Sequence, residues 1–414
     1  MSKYSVSSLH GKLYVKHGYP FKSEYFSDAG HYIVITPGNF YEEGGFKREV
    51  GKEKFYLGEI PKDYLHKKGD LIVAMTEQAA GLLGSCAVVP DDDIYLHNQR
   101  LGLITTDQKQ MDRSFVYYLF QTKSVREQIR LTSTGSKVKH TSPERIYAVT
   151  APLPKVEMQQ KIAAVLSALD AKIDCNNRIN AELEAMAKIL YDYWFVQFGF
   201  PDANGKPYKS SGGKMVYNAT LKREIPVGWD SGSLWDIARY FNGLAMQKLR
   251  PTGSDYLPVI KIKEMGEGIS DRTEKARPDI PQEAIIDDGD VLFSWSATLD
   301  VKIWTGGKGA LNQHIFKVTS DKYPKIFYYF ELLAYLAHFK MMAEKRKTTM
   351  GHITQDHLKQ SRICIPPVEL LSRAHEKINP ILQRHLLHEK ENQQLAQLRD
   401  WLLPLLMNGQ VTVA

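Results

Sequence analysis

At 414 residues, with 43% hydrophobic and 11% aromatic side chains, the chain is too long for one core of ordinary size and is composed like folded, soluble protein in two or three domains. No apolar run reaches membrane-spanning length, the start MSKYSVSSLHGK lacks a signal-peptide core, and Cys86, Cys175 and Cys364 are too scattered for a disulfide framework or a zinc site, which points to a reducing, cytoplasmic setting. The net charge of +7 divides as +3 over residues 1–154, −1 over 155–198, +5 over 199–367 and zero over 368–414, a surplus compatible with phosphate binding without requiring it.

Residues 1–154 read as a strand-rich mixed domain. HYIVITPGNF (31–40) and GDLIVAMT (69–76) are apolar runs bounded by turn residues, SFVYYLFQTKSVREQIRL (114–131) has helical spacing, and the polar loop TSTGSKVKHTSPE precedes a stop at Pro152 and Pro154. Residues 155–198 then carry apolar or amide side chains at alternating steps of four and three: Ile162, Leu166, Leu169, Ile173, Asn176, Asn180, Leu183, Ala187, Leu190 and Trp194. With no Gly or Pro inside it, the stretch predicts a helix of roughly forty residues, about 60 Å long, which is a strut rather than a core helix.

FPDANGKPYKSSGGK (200–214) reads as an exposed linker at the start of a second region, 199–367. That region repeats the first. SLWDIARYFNG (233–243) follows SLHGKLYVKHG (8–18) by 225 positions, GDVLFSWS matches GDLIVAMT, and the Asn98–Gln99 pair returns as Asn312–Gln313. KIFYYFELLAYLAHF matches SFVYYLF, and RKTTMGHITQD matches TSTGSKVKHTS. Residues 368–414 hold the second long helix, roughly Glu369 to Met407, and a C-terminal tail; the helix is less regular than the first, with a seam through Ile378, Ile381, His385, His388, Asn392 and Leu395, and with Pro404 expected to end or kink it. Both helices are polar at their middles. Paired antiparallel they bring these centres together and fix a register; the alternative is that the amides are simply solvated.

IPVGW (225–229) running into SLWDIARYFNG, the Gly loop and proline-rich close of each repeat, the helix MQQKIAAVLSALDAKIDCNNRINAELEAMAKILYDYWF and above all LRDWLLPLLMNGQV (398–411) resemble the DNA-specificity subunit of Type I restriction-modification enzymes. The first repeat lacks the Pro-x-Gly-Trp lead-in of the second. The resemblance spans nearly the whole chain and implies an α+β fold: two mixed α/β target-recognition domains separated by two long antiparallel coiled-coil helices. It further implies a non-catalytic subunit that reads two half-sites of double-stranded DNA across an unread spacer. Two methyltransferase subunits and ATP-dependent restriction subunits are the implied partners. S-adenosylmethionine, ATP and Mg²⁺ belong to those partners, and this chain is expected to bind no cofactor or metal itself.

The residues give no competing chemistry of comparable weight. The Pro366–Pro367 pair lacks the flanking residues of an amino-methyltransferase motif, and TGGKGALNQ lacks the spacing of a phosphate-binding loop. Asp279, Asp300 and Lys302 loosely match a metal-dependent nuclease, and a scaffold that only spaces two protein-binding domains is the remaining alternative. For DNA contact, cationic and amide side chains on equivalent loops are the candidates: Asn39, Lys47, Arg48, Ser136, Lys137, Lys139 and His140 in the first repeat, and Lys261, Lys263, Arg272, Lys345, Arg346, Lys347 and His352 in the second. Tyr191, Trp194, Phe195 and Trp401 crowd the helix ends, where they either cap a domain or dock a partner.

Overall fold

The computed structural model describes residues 3–77, 81–345 and 352–413. The chain divides into two compact units, Met1–Ile173 with Gln394–Ala414, and Asp174–Gln393, so that each long helix contributes one part to each unit.

In the first unit, strands Leu13–His17, Leu101–Thr106, Leu71–Ala74 and Cys86–Val88 form an antiparallel sheet in that spatial order. Leu71–Ala74 is buried at every position, which is why it reads as an unbroken apolar run. A second sheet joins Phe26–Ser27, Phe55–Tyr56, Tyr32–Ile35 and Tyr95–His97, the last two strands parallel. The predicted helix over 114–131 is two helices, Arg113–Leu119 and Lys123–Leu131. Extended backbone at Thr122 starts the second, and the Thr122 hydroxyl donates to the Leu119 carbonyl at 2.7 Å. Phe115, Val116, Phe120 and Ile129 share one core with Ile162, Ala163 and Leu166 of the first long helix and Leu403, Leu406 and Met407 of the second. Above that core the Tyr118 hydroxyl donates to Asp170 at 2.6 Å, and Arg399 donates to the other Asp170 oxygen at 2.8 Å.

The second unit repeats this order. Arg239–Asn242, Ile315–Thr319, Val291–Ser294 and Asp300–Ile303 make the antiparallel sheet, while Lys275–Ala276, Leu257–Ile260, Gly309–Leu311 and Ile285–Ile286 make the mixed one. Its single parallel pair joins the second and third of those strands, whereas in the first unit the third and fourth are parallel. One unbroken helix, Lys325–Lys345, replaces the broken pair.

The long helices run Val156–Phe195 and Val368–Met407. In the second unit their middles meet antiparallel through amides. Asn176 donates to Glu391 at 2.8 Å and to Asn392 at 2.9 Å, Asn392 donates to Asn177 at 2.8 Å, and His388 Nδ1 lies 3.1 Å from the Asn180 amide oxygen. Asn180 also donates to Glu389 at 2.7 Å, and His385 pairs with Glu184 at 3.0 Å. The amides are therefore partnered, not merely solvated. Ile162, Leu166, Ile378, Asn176, Asn180, His388 and Asn392 are buried, and Leu169, Ile173, Leu183, Leu190, Ile381, His385 and Leu395 are half-buried.

Two sequence expectations need correction. The second helix continues through Pro404 to Met407, because a proline in the last turn forfeits only one hydrogen bond there, and it stops instead at Gly409 in the left-handed region (φ 70°). Residues 200–214 are folded onto the second unit rather than forming a loose linker. Phe200 stacks between Tyr208 and Trp229, with ring centroids 4.7 and 5.3 Å away, and Met215–Asn218 pairs with Arg223–Pro226 as a hairpin. Gly and Ser supplied the linker composition, while two aromatics supplied the anchor.

Candidate nucleic-acid interface

In the first repeat the chain leaves the parallel strand at His97 and turns through Asn98, Gln99 and Arg100. The turn is held by backbone and by its own asparagine: Asn98 Oδ1 accepts from Arg100 N at 3.0 Å and the Asn98 carbonyl accepts from Leu101 N at 3.0 Å. Gly18 lies flat against the Asn98 carbonyl, where a Cβ would fall inside the oxygen's contact radius. From the opposite side the Arg100 carbonyl accepts from Met75 N at 2.9 Å, and the Met75 carbonyl accepts from Thr141 N at 3.0 Å. This last contact brings in the Gly loop, whose His140 Nδ1 lies 3.1 Å from the Thr76 hydroxyl.

Gln99 and Arg100 are exposed at the tip of that turn. They border a cleft of about 540 Å³ whose other walls include Tyr19, Phe26, Thr36, Lys54 and Thr76. An aromatic wall, two amide or guanidinium donors and a lysine at one concave surface are a chemistry suited to bases and phosphates.

The second repeat builds the same scaffold with different tips. Gly243 lies against the Asn312 carbonyl as Gly18 lies against Asn98. Asn312 accepts from Ile315 N at 3.1 Å, and Ile353 N donates to the Trp295 carbonyl at 2.9 Å, holding the chain beside His352. Gln313 and His314 stand where Gln99 and Arg100 stand. The Trp295 ring is flanked by His314 and His352 at centroid distances of 5.7 and 5.6 Å, and the Ser296 hydroxyl lies 3.2 Å from His314 Nδ1. Trp295 Nε1 donates to Asn242 at 2.9 Å, which fixes the ring.

Behind the first turn is a buried polar chain. Asp70 lies 3.0 Å from His66 Nδ1, and His66 Nε2 lies 2.9 Å from His97 Nδ1. Burial lowers the His97 pKa to about 3, so the residue that precedes the exposed turn is held neutral.

The structure sorts the predicted contact residues. His140 and His352 both sit on the scaffold just described. Lys47, Ser136 and Lys137 are exposed, and Lys139 stands opposite Glu77 in a short antiparallel pairing. Asn39 is a correction: it is buried, with Oδ1 accepting from Thr36 N at 2.9 Å and Nδ2 donating to the Lys47 carbonyl at 3.2 Å, so its amide serves its own turn rather than a base. Arg48 is paired with Asp91 at 2.6 Å, Lys261 with Glu274 at 2.5 Å and Lys263 with Glu267 at 3.8 Å, while Arg272 is exposed. Arg346, Lys347 and the side chain of Lys345 lie outside the described residues. Gln99, Arg100, Gln313, His314 and Trp295 were not singled out by charge. The repeated Asn-Gln pair was the signal that located them.

The nuclease pattern is not assembled. Asp279 pairs with Arg277 at 3.3 Å, Lys302 donates to the Met265 carbonyl at 3.3 Å, and among the described residues no cluster of three metal-binding side chains occurs.

Tyr191, Trp194 and Phe195 are buried in the core of the second unit, so the domain-capping role is the one they take, and they offer no face to a partner. Tyr191 stacks on Phe330 at 4.8 Å and donates to Glu331 at 2.7 Å, where burial raises the carboxyl pKa to about 7. Trp401, by contrast, is 61% exposed. It belongs to a pattern that neither helix shows alone. Met186, Ile189 and Tyr193 on the first helix are exposed, as are Leu398 and Trp401 on the second, with Leu405 half-buried. The intervals agree: 398 − 186, 401 − 189 and 405 − 193 are each 212. The helix of each repeat thus carries one apolar stripe at the same position, the first repeat's lying in the second unit and the second repeat's in the first.

The family model described as Type I restriction modification DNA specificity domain matches residues 1–185 and 226–398. The chain is 27% identical over 309 residues to the Type I restriction enzyme MjaIX specificity subunit of Methanocaldococcus jannaschii, covering 72% of this chain and 69% of that one. It is 21% identical over 436 aligned positions to the Type I restriction enzyme HindI specificity subunit of Haemophilus influenzae, covering 92% and 94%. The crystal structure of the Type I restriction-modification system S subunit from M. genitalium shares the fold, with a TM-score of 0.55 at 14% identity over 98% of this chain and 96% of that one.

Proposed function

Because the chain belongs to the Type I restriction modification DNA specificity family, we propose that it reads a bipartite double-stranded DNA site, one half-site per repeat, across a spacer whose bases it does not touch. The observation that carries this is the pair of equivalent turns, Asn98–Gln99–Arg100 and Asn312–Gln313–His314, clamped by equivalent glycines and flanked by equivalent Gly-loop histidines, yet ending in different side chains, exposed at Gln99 and Arg100 and half-buried at Gln313 and His314. One scaffold carrying two sets of reading groups is what recognition of two different half-sites requires.

Phosphate contact fixes a protein on the duplex and base contact selects the sequence. Lys54, Lys47, Lys137 and His140 around the first turn, and His352 beside the second, are placed for the former. The exposed stripes through Ile189 and Trp401 each dock one methyltransferase subunit, giving two per chain. The methyltransferase supplies S-adenosylmethionine chemistry on an adenine of each half-site, and ATP-dependent restriction subunits join the same complex. This chain binds no cofactor and performs no bond-making step; its contribution is to hold the half-sites in register.

The test is to assemble the chain with its methyltransferase partner, expose genomic DNA and map the methylated adenines. Two short motifs at one constant separation are expected. Inserting one heptad after Leu169 with its complement in the second helix should then lengthen the spacer while leaving both motifs intact. Methylation without a two-part motif, or a heptad insertion that changes the motif bases at constant spacer, overturns the reading.

A further inference from the structure

We propose that Arg100, presented with Gln99 from the first turn, reads a guanine in the half-site of the first repeat, and that Gln313 and His314 are the corresponding base-reading pair of the second. This deepens the specificity-subunit reading and rests on it.

Three observations converge on this pair. The first is rigidity at its base. Arg100 is fixed through its own N–H by Asn98 Oδ1 at 3.0 Å and through its own carbonyl by Met75 N at 2.9 Å, so the guanidinium is displayed from a point that cannot drift. Base reading needs that fixity, whereas phosphate contact tolerates a mobile side chain.

The second is availability. Among the described residues Arg100 has no ion-pair partner, whereas Arg48, Lys261 and Lys263 are each held by a carboxylate. Asn98, the other polar side chain of the turn, already spends its amide oxygen on Arg100 N. The reading groups at this point of the cleft are therefore Gln99 and Arg100.

The third is the contrast between repeats. Gly18 and Gly243 clamp equivalent asparagine carbonyls, Asn98 and Asn312, and the glutamine is kept at both turns, but the next side chain changes from guanidinium to imidazole. A site that keeps its scaffold and changes its tip is changing what it selects. The forked guanidinium matches guanine O6 and N7, which an imidazole cannot do in bidentate fashion.

The experiment uses the full chain assembled with its methyltransferase, acting on a duplex library randomised in both half-sites, with wild type, Arg100→Ala, Arg100→Lys and His314→Ala compared. For Arg100→Ala, discrimination at one guanine of the first motif should fall by about 5- to 150-fold, with the second motif and the spacer unchanged. Arg100→Lys should retain part of it, and His314→Ala should relax the second motif alone. Retention of the unaltered motif reports that each variant is folded. A uniform loss across all sequences, with a shallower salt dependence, would make Arg100 a phosphate contact and overturn the proposal. So would unchanged discrimination at every base. A wild-type complex without a bipartite preference would instead overturn the function on which this inference rests.

Discussion

His66 Nε2 and His97 Nδ1 face one another at 2.9 Å with both rings buried, and Asp70 closes the chain at 3.0 Å on the far side of His66. Burial holds the His97 pKa near 3, far below an unfolded imidazole. Between about pH 6.5 and that value the unfolded chain takes up a proton that the folded chain refuses, so stability falls as the solution is acidified, by on the order of 1 kcal/mol per pH unit. Asp70 adds to this at lower pH. Its burial alone would raise the carboxyl pKa, but the bonds from His66 and the Lys67 N–H reverse the sign and lower it, so its contribution is lost as pH falls through the folded value. His97→Gln should therefore show a shallower acid limb in urea unfolding measured from pH 7 to pH 4. Equal slopes for variant and wild type would sink this account.

Gly18 and Gly243 make a separate prediction from backbone geometry. At each, an added methyl meets the carbonyl of Asn98 or Asn312, and a carbonyl cannot rotate away as a side chain would. Gly18→Ala should cost about 1–3 kcal/mol and should blur the first DNA motif only; Gly243→Ala should do the same for the second. Gly253→Ala, where no atom lies within 4 Å, is the control and should change neither. Methylation mapping combined with unfolding midpoints checks all three. Loss of both motifs from one glycine variant would contradict the independence of the two turns.

The helices and the duplication were legible because period and repetition are local signals. A heptad free of Gly and Pro commits to a helix whatever it packs against, and amides at Asn176 and Asn180 interrupt it visibly. What covers a residue is not local. Tyr191 and Trp401 look alike in sequence, yet one is sealed under Phe330 and the other is exposed. Lys261 and Arg100 are equally cationic on paper, but Glu274 claims only the first. Asn39 looked like a reading residue because it ends a strand in a loop, and the same position made it a local turn former. Charge alone picked Lys47 and Arg48; only the repeat of Asn-Gln pointed to the turn that the fold displays.

Asn392 is the hub of the polar layer in the second unit, accepting from Asn176 at 2.9 Å and donating to Asn177 at 2.8 Å. Asn392→Ala removes both bonds and leaves the buried Asn176 short of one acceptor, at a cost of about 1–3 kcal/mol. Replacing both Asn176 and Asn392 by Leu removes the unsatisfied group together with its partner. The double variant should recover most of that loss in unfolding experiments, costing less than the sum of the Asn176→Leu and Asn392→Leu single variants. Additive single and double variants would mean that the layer is not a layer.

The two apolar stripes make the most direct claim about assembly. Ile189 is 68% exposed and Trp401 is 61% exposed, so a charged residue at either place disturbs no core and should change the stability of the isolated chain by no more than about 0.5 kcal/mol. If each stripe seats one methyltransferase, Ile189→Glu buries a carboxylate at one contact and Trp401→Glu does so at the other, each costing about 2 kcal/mol or more in affinity. Native mass spectrometry of the assembled complex should count two methyltransferase subunits on the wild type, one on either single variant and none on the double. Because the surviving site is intact, each single variant should still bind its remaining partner with wild-type affinity. Two subunits retained on the double variant would show that the stripes are not the docking faces, whereas loss of both subunits from one substitution would show a shared contact rather than two equivalent ones.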